Sequence, residues 1–268
     1  MTGDGWAAAV RRQLGLGRVL PLGGAGDGAW LTEAAATAVL RRAAERVTGA
    51  RLTAVRVAPA GPEAAGTGAP PDAYGCAVPA PPSALPPGPL CVSGEVAAGP
   101  AEPLPALVSR LRAALATAAT DRLGLVVARV DLRVTELYDE PPGPGGRPDR
   151  DGTAAPGRDA DPEDSPADAE DSPEGRIARA VLAVPGVTRL TGVFGGLERA
   201  VHVRELTSPD SLPRRHVQVE LAVAADRRVL DVACAVRTAA GGALPDQPSV
   251  AVLVTAVDEP GRGGKQPD

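Results

Sequence analysis

Histidine and cysteine offer this chain its widest range of chemistry, because they can ligate metals, transfer protons or act as nucleophiles. The sequence has two histidines and three cysteines: His202, His216, Cys76, Cys91 and Cys234. No HxH, HExxH or CxxC spacing connects them, so a zinc site is not predicted. His216 falls on the polar side of an alternating strand, and we expect both histidines to lie at the sheet surface without a catalytic role.

The other polar candidates lack the neighbours that chemistry would need. Ser93-Gly94-Glu95 has no GxSxG context for a nucleophile. Asp131 lies between two arginines on one strand face, which indicates surface charge compensation. The glycine run of residues 23–28 precedes a helix, where backbone N–H groups can bind phosphate, but no GxxxxGK follows, and we interpret it as a flexible connector. Cys234 is predicted to pack, whereas Cys91 faces away from the core and is the candidate reactive thiol. The sequence therefore predicts no catalytic, cofactor-binding or metal-binding residue.

Composition narrows the possible environment and partners. Aromatic residues make up 2% of the 268-residue chain, which argues against single-stranded nucleic acid as a partner because stacking platforms are scarce. The start has no basic segment followed by an apolar run, and no stretch approaches the roughly 20 apolar residues of a membrane span. An odd, scattered cysteine count fits a reducing cytoplasm. The Ala, Gly, Pro and Arg bias is typical of a GC-rich, actinobacterial genome.

Periodicity predicts an α+β unit in the first half of the chain. Residues 1–30 are assigned to an N-terminal helix (residues 6–16) and the glycine-rich connector, and residues 31–138 to the first α+β repeat. Within that repeat we predict a helix over residues 31–47, strands over 51–57 and 90–96, a second helix from 104, and a strand whose core face carries Val126, Ala128, Val130, Leu132 and Val134. Residues 59–89 form a Pro/Gly-rich insertion that belongs on the surface or is disordered.

The same order of elements recurs after an acidic segment. Residues 139–175 carry twelve acidic and three basic residues and almost no large apolar side chain, so we predict a disordered linker. Residues 176–258 form the second α+β repeat and residues 259–268 a disordered tail. The sequence thus predicts two small domains arranged as a tandem repeat, each a mostly antiparallel or mixed sheet with two helices on one face.

The motifs of the second repeat resemble those of the alkaline shock protein family, also called the envelope stress response family. The resemblance covers about two thirds of the chain and is carried by Val184-Pro185-Gly186-Val187, the alternating strand 217–223, the helix segment 232–237 and the strand 250–254. The first repeat is similar to a more diverged copy, with Val47-Thr48-Gly49-Ala50 in place of the Pro-Gly motif.

Membership of that family would imply a cytoplasmic, non-enzymatic structural or adaptor protein. It would support the cell envelope near the membrane through protein partners, with small membrane proteins or a second copy of the chain as candidates. Two alternatives stay open. One is a regulatory module, formed by a pseudo-dimer of the two α+β domains, that holds a small molecule between them. The other is a nucleic-acid binder on a KH-like scaffold, although no GxxG loop joining two helices is present.

Overall fold

The fold is α+β, as the sequence predicts, and its described residues form two mixed sheets and four α-helices. We analysed a computed structural model, which describes residues 15–61, 78–81, 83–138, 172–193, 199–208 and 211–259. The predicted acidic linker up to residue 171, the tail from residue 260 and most of the predicted helix over residues 6–16 lie outside the described residues. So do residues 62–77 and 82 of the insertion.

The first sheet has three strands and belongs to the first half of the chain. Helix α1 (Glu33–Glu45) leads into strand β3 (Ala50–Pro59), which pairs antiparallel with β4 (Leu90–Ala98). Helix α2 (Leu104–Thr117) continues into a π-helical turn (Ala118–Leu123) and returns the chain to β5 (Val127–Leu137), parallel to β4. We call residues 33–137 unit 1.

The second sheet has six strands and combines both ends of the chain. Helix α3 (Pro173–Leu182) precedes the strands β6 (Val187–Leu190) and β7 (Val201–Ser208), which both pair antiparallel with the long strand β8 (Ser211–Ala224). Helix α4 (Val229–Gly242) leads to β9 (Ser249–Asp258), parallel to β8. The sheet is completed by β1 (Val19–Leu22) and β2 (Ala29–Thr32). We call residues 173–258 unit 2.

The two units agree in details beyond the order of their elements. Gly49 and Gly186 each follow a helix by four residues and have φ angles of 89° and 99°, a backbone region that favours glycine. The parallel strands carry a β-bulge at Thr135 in unit 1 and at Thr255 in unit 2, where each threonine is skipped by the register. These are features that a duplicated unit would share; the duplication itself stays a prediction.

One hydrophobic core joins the units. It includes Leu111 and Leu115 of α2, Ile177 of α3 and Val236 of α4, all with no exposed surface. Helix α1 contacts β3 of its own unit and also β9 of the six-stranded sheet. The hydroxyl of Thr32, which caps α1, also donates to the Thr255 carbonyl at 3.1 Å. The units therefore share their apolar interior.

The N-terminal segment differs from the predicted flexible connector. The glycine run forms the turn between β1 and β2, in which the N–H of Gly24 donates to the Asp27 carboxylate at 2.7 Å. Strand β2 then pairs in parallel with β9. Both of these four-residue strands are buried on both faces, so their sequences carry no alternation of polar and apolar residues. Helix α1 accordingly begins at Glu33 rather than at residue 31.

Two further expectations are wrong in part. The insertion is predicted to lie at the surface or to be disordered. In the structure, however, Val78 is buried against Trp30 and Leu253 on the second face of the six-stranded sheet. Leu90 of β4 pairs with Val127, but the next residue of β4 pairs with Arg129, so Ala128 forms a bulge in β5. Val127 therefore packs on the core, whereas Ala128 is exposed. The residue before the strand, Val126, is 49% exposed. A bulge reverses the alternation locally, and the pattern alone does not reveal it.

The shared core predicts that the two halves of the chain need each other. We expect polypeptides of residues 1–138 and 172–268, when co-expressed, to co-purify as one complex, because β2 of the first pairs with β9 of the second. Size-exclusion chromatography checks this. Leu31→Asp, placed in buried β2, should abolish the association. A second polypeptide that alone gives a sharp thermal transition would contradict a shared core.

Candidate functional site: the groove between the units

A groove with a volume of about 590 Å3 lies where the two units meet. Helix α1, helix α2 and the π-helical turn of unit 1 form one part of its wall. The turn from β8 into α4 and the end of β9 form the rest. We call this the inter-unit groove.

The floor of the groove is apolar and made of short side chains. Val39 and Ala43 of α1 and Val47 just after the helix are spaced by four residues, and all three line the groove. Helix α2 contributes Ala113 and Thr117, which are both exposed. Short side chains at these positions leave space between the two helices, and that space is the groove.

Two arginines at the rim are held by the backbone of unit 2. Arg42 of α1 donates to the Val257 carbonyl at 3.3 Å and pairs with Glu259 at 3.1 Å. Arg122 of the π-helical turn donates to the Ala225 carbonyl at 3.2 Å. Both bonds cross from unit 1 to unit 2, so these guanidinium groups tie the walls of the groove together.

Two other arginines at the rim are exposed and uncommitted. Arg46, the C-cap residue of α1, and Arg227, in the turn before α4, form no ion pair or side-chain hydrogen bond with any described residue. Asp226 and Glu259 are the acidic side chains of the lining. With four arginines against two carboxylates, the described lining carries a net positive charge.

The chemistry that such a lining supports is binding. A guanidinium stays protonated at every physiological pH, so it can pair with carboxylates or phosphates but cannot take up a proton. The apolar floor would bury an apolar group at roughly 25 cal/mol per Å2 of surface removed from water. No sequence motif marks this site, because its residues come from separate elements of the fold.

A second polar feature lies on the face of β8 opposite the core. His216 is predicted at the sheet surface, yet the exposed fractions of His216, Gln218 and Glu220 are 5%, 5% and 0%. Glu220 accepts from the backbone N–H of Val193 at 2.7 Å and from Gln218 at 3.3 Å. The alternation along β8 is as predicted, but both faces of the strand are covered. The sequence signal for this burial is the continuous run of apolar residues in the neighbouring strand β9, which is typical of a sheet covered on both faces.

The two histidines lie on neighbouring strands of this face. His202 of β7 is paired with Gln218, and its ring atom Nε2 is buried without a hydrogen-bond partner among the described residues. The Nδ1 atom of His216 is 2.9 Å from the Ser249 hydroxyl. Burial lowers the pKa of His216, the positive charge of Arg204 lowers it further, and a hydrogen bond with the Ser249 backbone opposes the shift. His216 is thus a buried histidine rather than the solvent-facing one expected.

Asp131, Cys91 and Cys234 have the contacts and burial of residues with a structural role. Asp131 pairs with Arg129 at 3.0 Å on the exposed face of the three-stranded sheet, as expected for charge compensation. The Cys91 thiol donates to the Asp131 carboxylate at 3.3 Å and is 8% exposed, so this candidate thiol is buried. Burial raises the pKa of Cys234, which keeps it in its less reactive thiol form. Cys76 lies outside the described residues.

Among the described residues, no group of three or more His, Cys, Asp and Glu side chains is placed to hold a metal ion. None of the helices in the described ranges has the length and apolarity to cross a membrane.

Comparison with protein-family models, with curated proteins and with solved structures gives no match for this chain.

The lowered pKa of His216 predicts a pH-dependent stability. The pKa of His216 in the folded state lies below its unfolded value of about 6.5. When the pH falls through that value, the unfolded state binds a proton and the folded state does not, so the folded state is destabilised relative to the unfolded state. The contribution is present at neutral pH and is lost as the pH falls. We expect the melting temperature of His216→Gln to decline less than that of the wild type between about pH 7.5 and about pH 5.

The same substitution at His202 is the matched control, since it also removes one imidazole from this face. Differential scanning fluorimetry at closely spaced pH values makes the measurement. Parallel pH curves for the wild type and His216→Gln would contradict the assignment.

Proposed function

We propose that the protein is a non-enzymatic adaptor of the envelope stress response type, acting in the cytoplasm and binding protein partners through the inter-unit groove. The sequence motifs supply the family resemblance. The observation that carries the proposal is the groove itself, an open apolar cleft bordered by guanidinium groups at the junction of both units. Such a surface offers contact area and charge, and its arginines cannot act as proton acceptors.

The arrangement suits an adaptor because the floor of the groove is continuous with the core that the units share. Its floor residues Val39 and Val229 belong to the shared core, and its rim residues Arg42 and Arg122 bond across the units. A partner seated there would contact both units at once. Binding would therefore stabilise the pairing of the units, since a ligand that binds the folded form alone shifts the equilibrium toward it.

The test fills the groove and measures the cellular role. Ala113→Trp places a large side chain at an exposed position that lines the groove, and Ala106→Trp makes the same change at an exposed position of α2 that does not line it. In a strain that lacks the gene, we expect the wild type and Ala106→Trp to restore tolerance of alkaline and cell-wall stress. We expect Ala113→Trp to fail at equal protein level.

Full complementation by Ala113→Trp would reject the groove as the functional surface. A deletion strain with normal tolerance of envelope stress would reject the family role. The two failures are separate results, because one concerns the site and the other the process.

A second candidate function is a regulatory module that binds a small molecule between the units. The groove volume favours it, since about 590 Å3 falls within the range of roughly 300–1,000 Å3 that small-molecule sites occupy. This function predicts that a member of a metabolite panel raises the melting temperature of the wild type and of Ala106→Trp, but not of Ala113→Trp. A panel without effect at millimolar concentrations favours the adaptor role.

A further inference from the structure

The four arginines that line the inter-unit groove have unequal freedom. Arg42 and Arg122 are bound to backbone carbonyls of unit 2, whereas Arg46 and Arg227 have no side-chain partner among the described residues. The bound pair is structural. The uncommitted pair is available to a ligand, and it comes from opposite units, one side chain at the end of α1 and the other before α4.

An unpaired guanidinium beside an apolar surface is most effectively satisfied by a carboxylate or phosphate, which can accept two parallel hydrogen bonds. At the α1 end, the last carbonyls of the helix carry partial negative charge and repel anions. An anion bound there therefore depends on the guanidinium of Arg46 and not on the helix.

The remaining lining distinguishes between kinds of anion. Among the described residues that line the groove there is no aromatic side chain on which a base could stack, and Asp226 and Glu259 would repel a continuous phosphate backbone. Its floor instead offers a row of short apolar side chains that larger apolar side chains could fill. Arg46 and Arg227 border this floor from opposite units, so a segment that carries both apolar and acidic side chains can contact the floor and both guanidinium groups.

We propose that the occupant of the inter-unit groove is an acidic amphipathic segment of a protein partner, whose apolar side chains fill the floor and whose carboxylates pair with Arg46 and Arg227. The inference rests on the proposed function in that both use the groove as the binding surface. It adds the chemistry of the partner: a stripe of large apolar residues next to aspartate or glutamate.

The test selects binders without assuming a partner. A random-peptide phage library is selected on the full-length wild-type protein, with counter-selection on Ala113→Trp so that groove-dependent peptides are retained. Circular dichroism and melting temperature establish that the variant is folded, and Thr117→Trp is the second groove-filling variant if it is not. We expect the retained peptides to be enriched in Asp and Glu beside Leu, Ile or Phe.

The selected peptides then report on the arginines. The double variant Arg46→Gln/Arg227→Gln should weaken their binding about tenfold and flatten its dependence on salt concentration. The matched control is Arg56→Gln/Arg133→Gln, which removes two exposed arginines of the three-stranded sheet and should leave the affinity unchanged. Fluorescence anisotropy measures both.

The outcomes separate the inference from the function on which it rests. Groove-dependent peptides that are neutral or basic, or that bind equally to the Arg46/Arg227 double variant, would overturn the acidic-partner inference and leave the groove as a binding site. A library that yields no groove-dependent peptide would overturn both.

Discussion

The parallel pairing of β2 with β9 is the interaction on which the rest of the structure depends. Three residues of β2, from Ala29 to Leu31, align with Val252 to Val254 in the middle of the six-stranded sheet. The next residue, Thr32, caps α1 and also bonds to the Thr255 carbonyl. The first helix of unit 1 therefore starts at a point fixed by the last strand of unit 2. Because α1 is anchored in this way, it packs against both sheets, and the core cannot divide into two independent halves.

The inter-unit groove is a consequence of that anchoring. Helix α1 crosses from one sheet to the other, and the small residues of α2 do not fill the space beside it. Gly124 follows the π-helical turn that extends α2. It has a φ of 87° and lies so close to Leu230 of α4 that any side chain at this position would collide with it. The N–H of Gly23 also donates to the Gly124 carbonyl at 3.1 Å. Unit 1 thus meets both the N-terminal hairpin and α4 at this glycine, which closes one end of the junction while the groove remains open.

The sequence predicted the elements of each unit but not their relation. Stripes such as Leu107, Leu111 and Leu115 locate a helix and its buried face, because an i, i+4 pattern depends on one element alone. The pairing of β2 with β9 spans more than two hundred residues, and no local pattern carries that information. The burial of His216 and Glu220 was missed for the same reason: alternation shows which face of a strand a residue occupies, whereas its exposure depends on what covers that face. The groove, built from four separate segments, has no sequence motif at all.

The division of the arginines supports a binding role for the groove more directly than its size does. An exposed arginine on a protein surface needs no partner, since water satisfies it, and surface ion pairs contribute little to stability, roughly 0–1 kcal/mol. Here, however, two guanidiniums of the lining do bond to carbonyls of the other unit, at Val257 and Ala225, and so position the walls. Arg46 and Arg227 lie at the same rim but form no bond across the units. They border an apolar floor from which a bound partner would displace water. Removing water strengthens a charge pair at this boundary, so an anion with an apolar neighbour gains more here than at any isolated surface arginine.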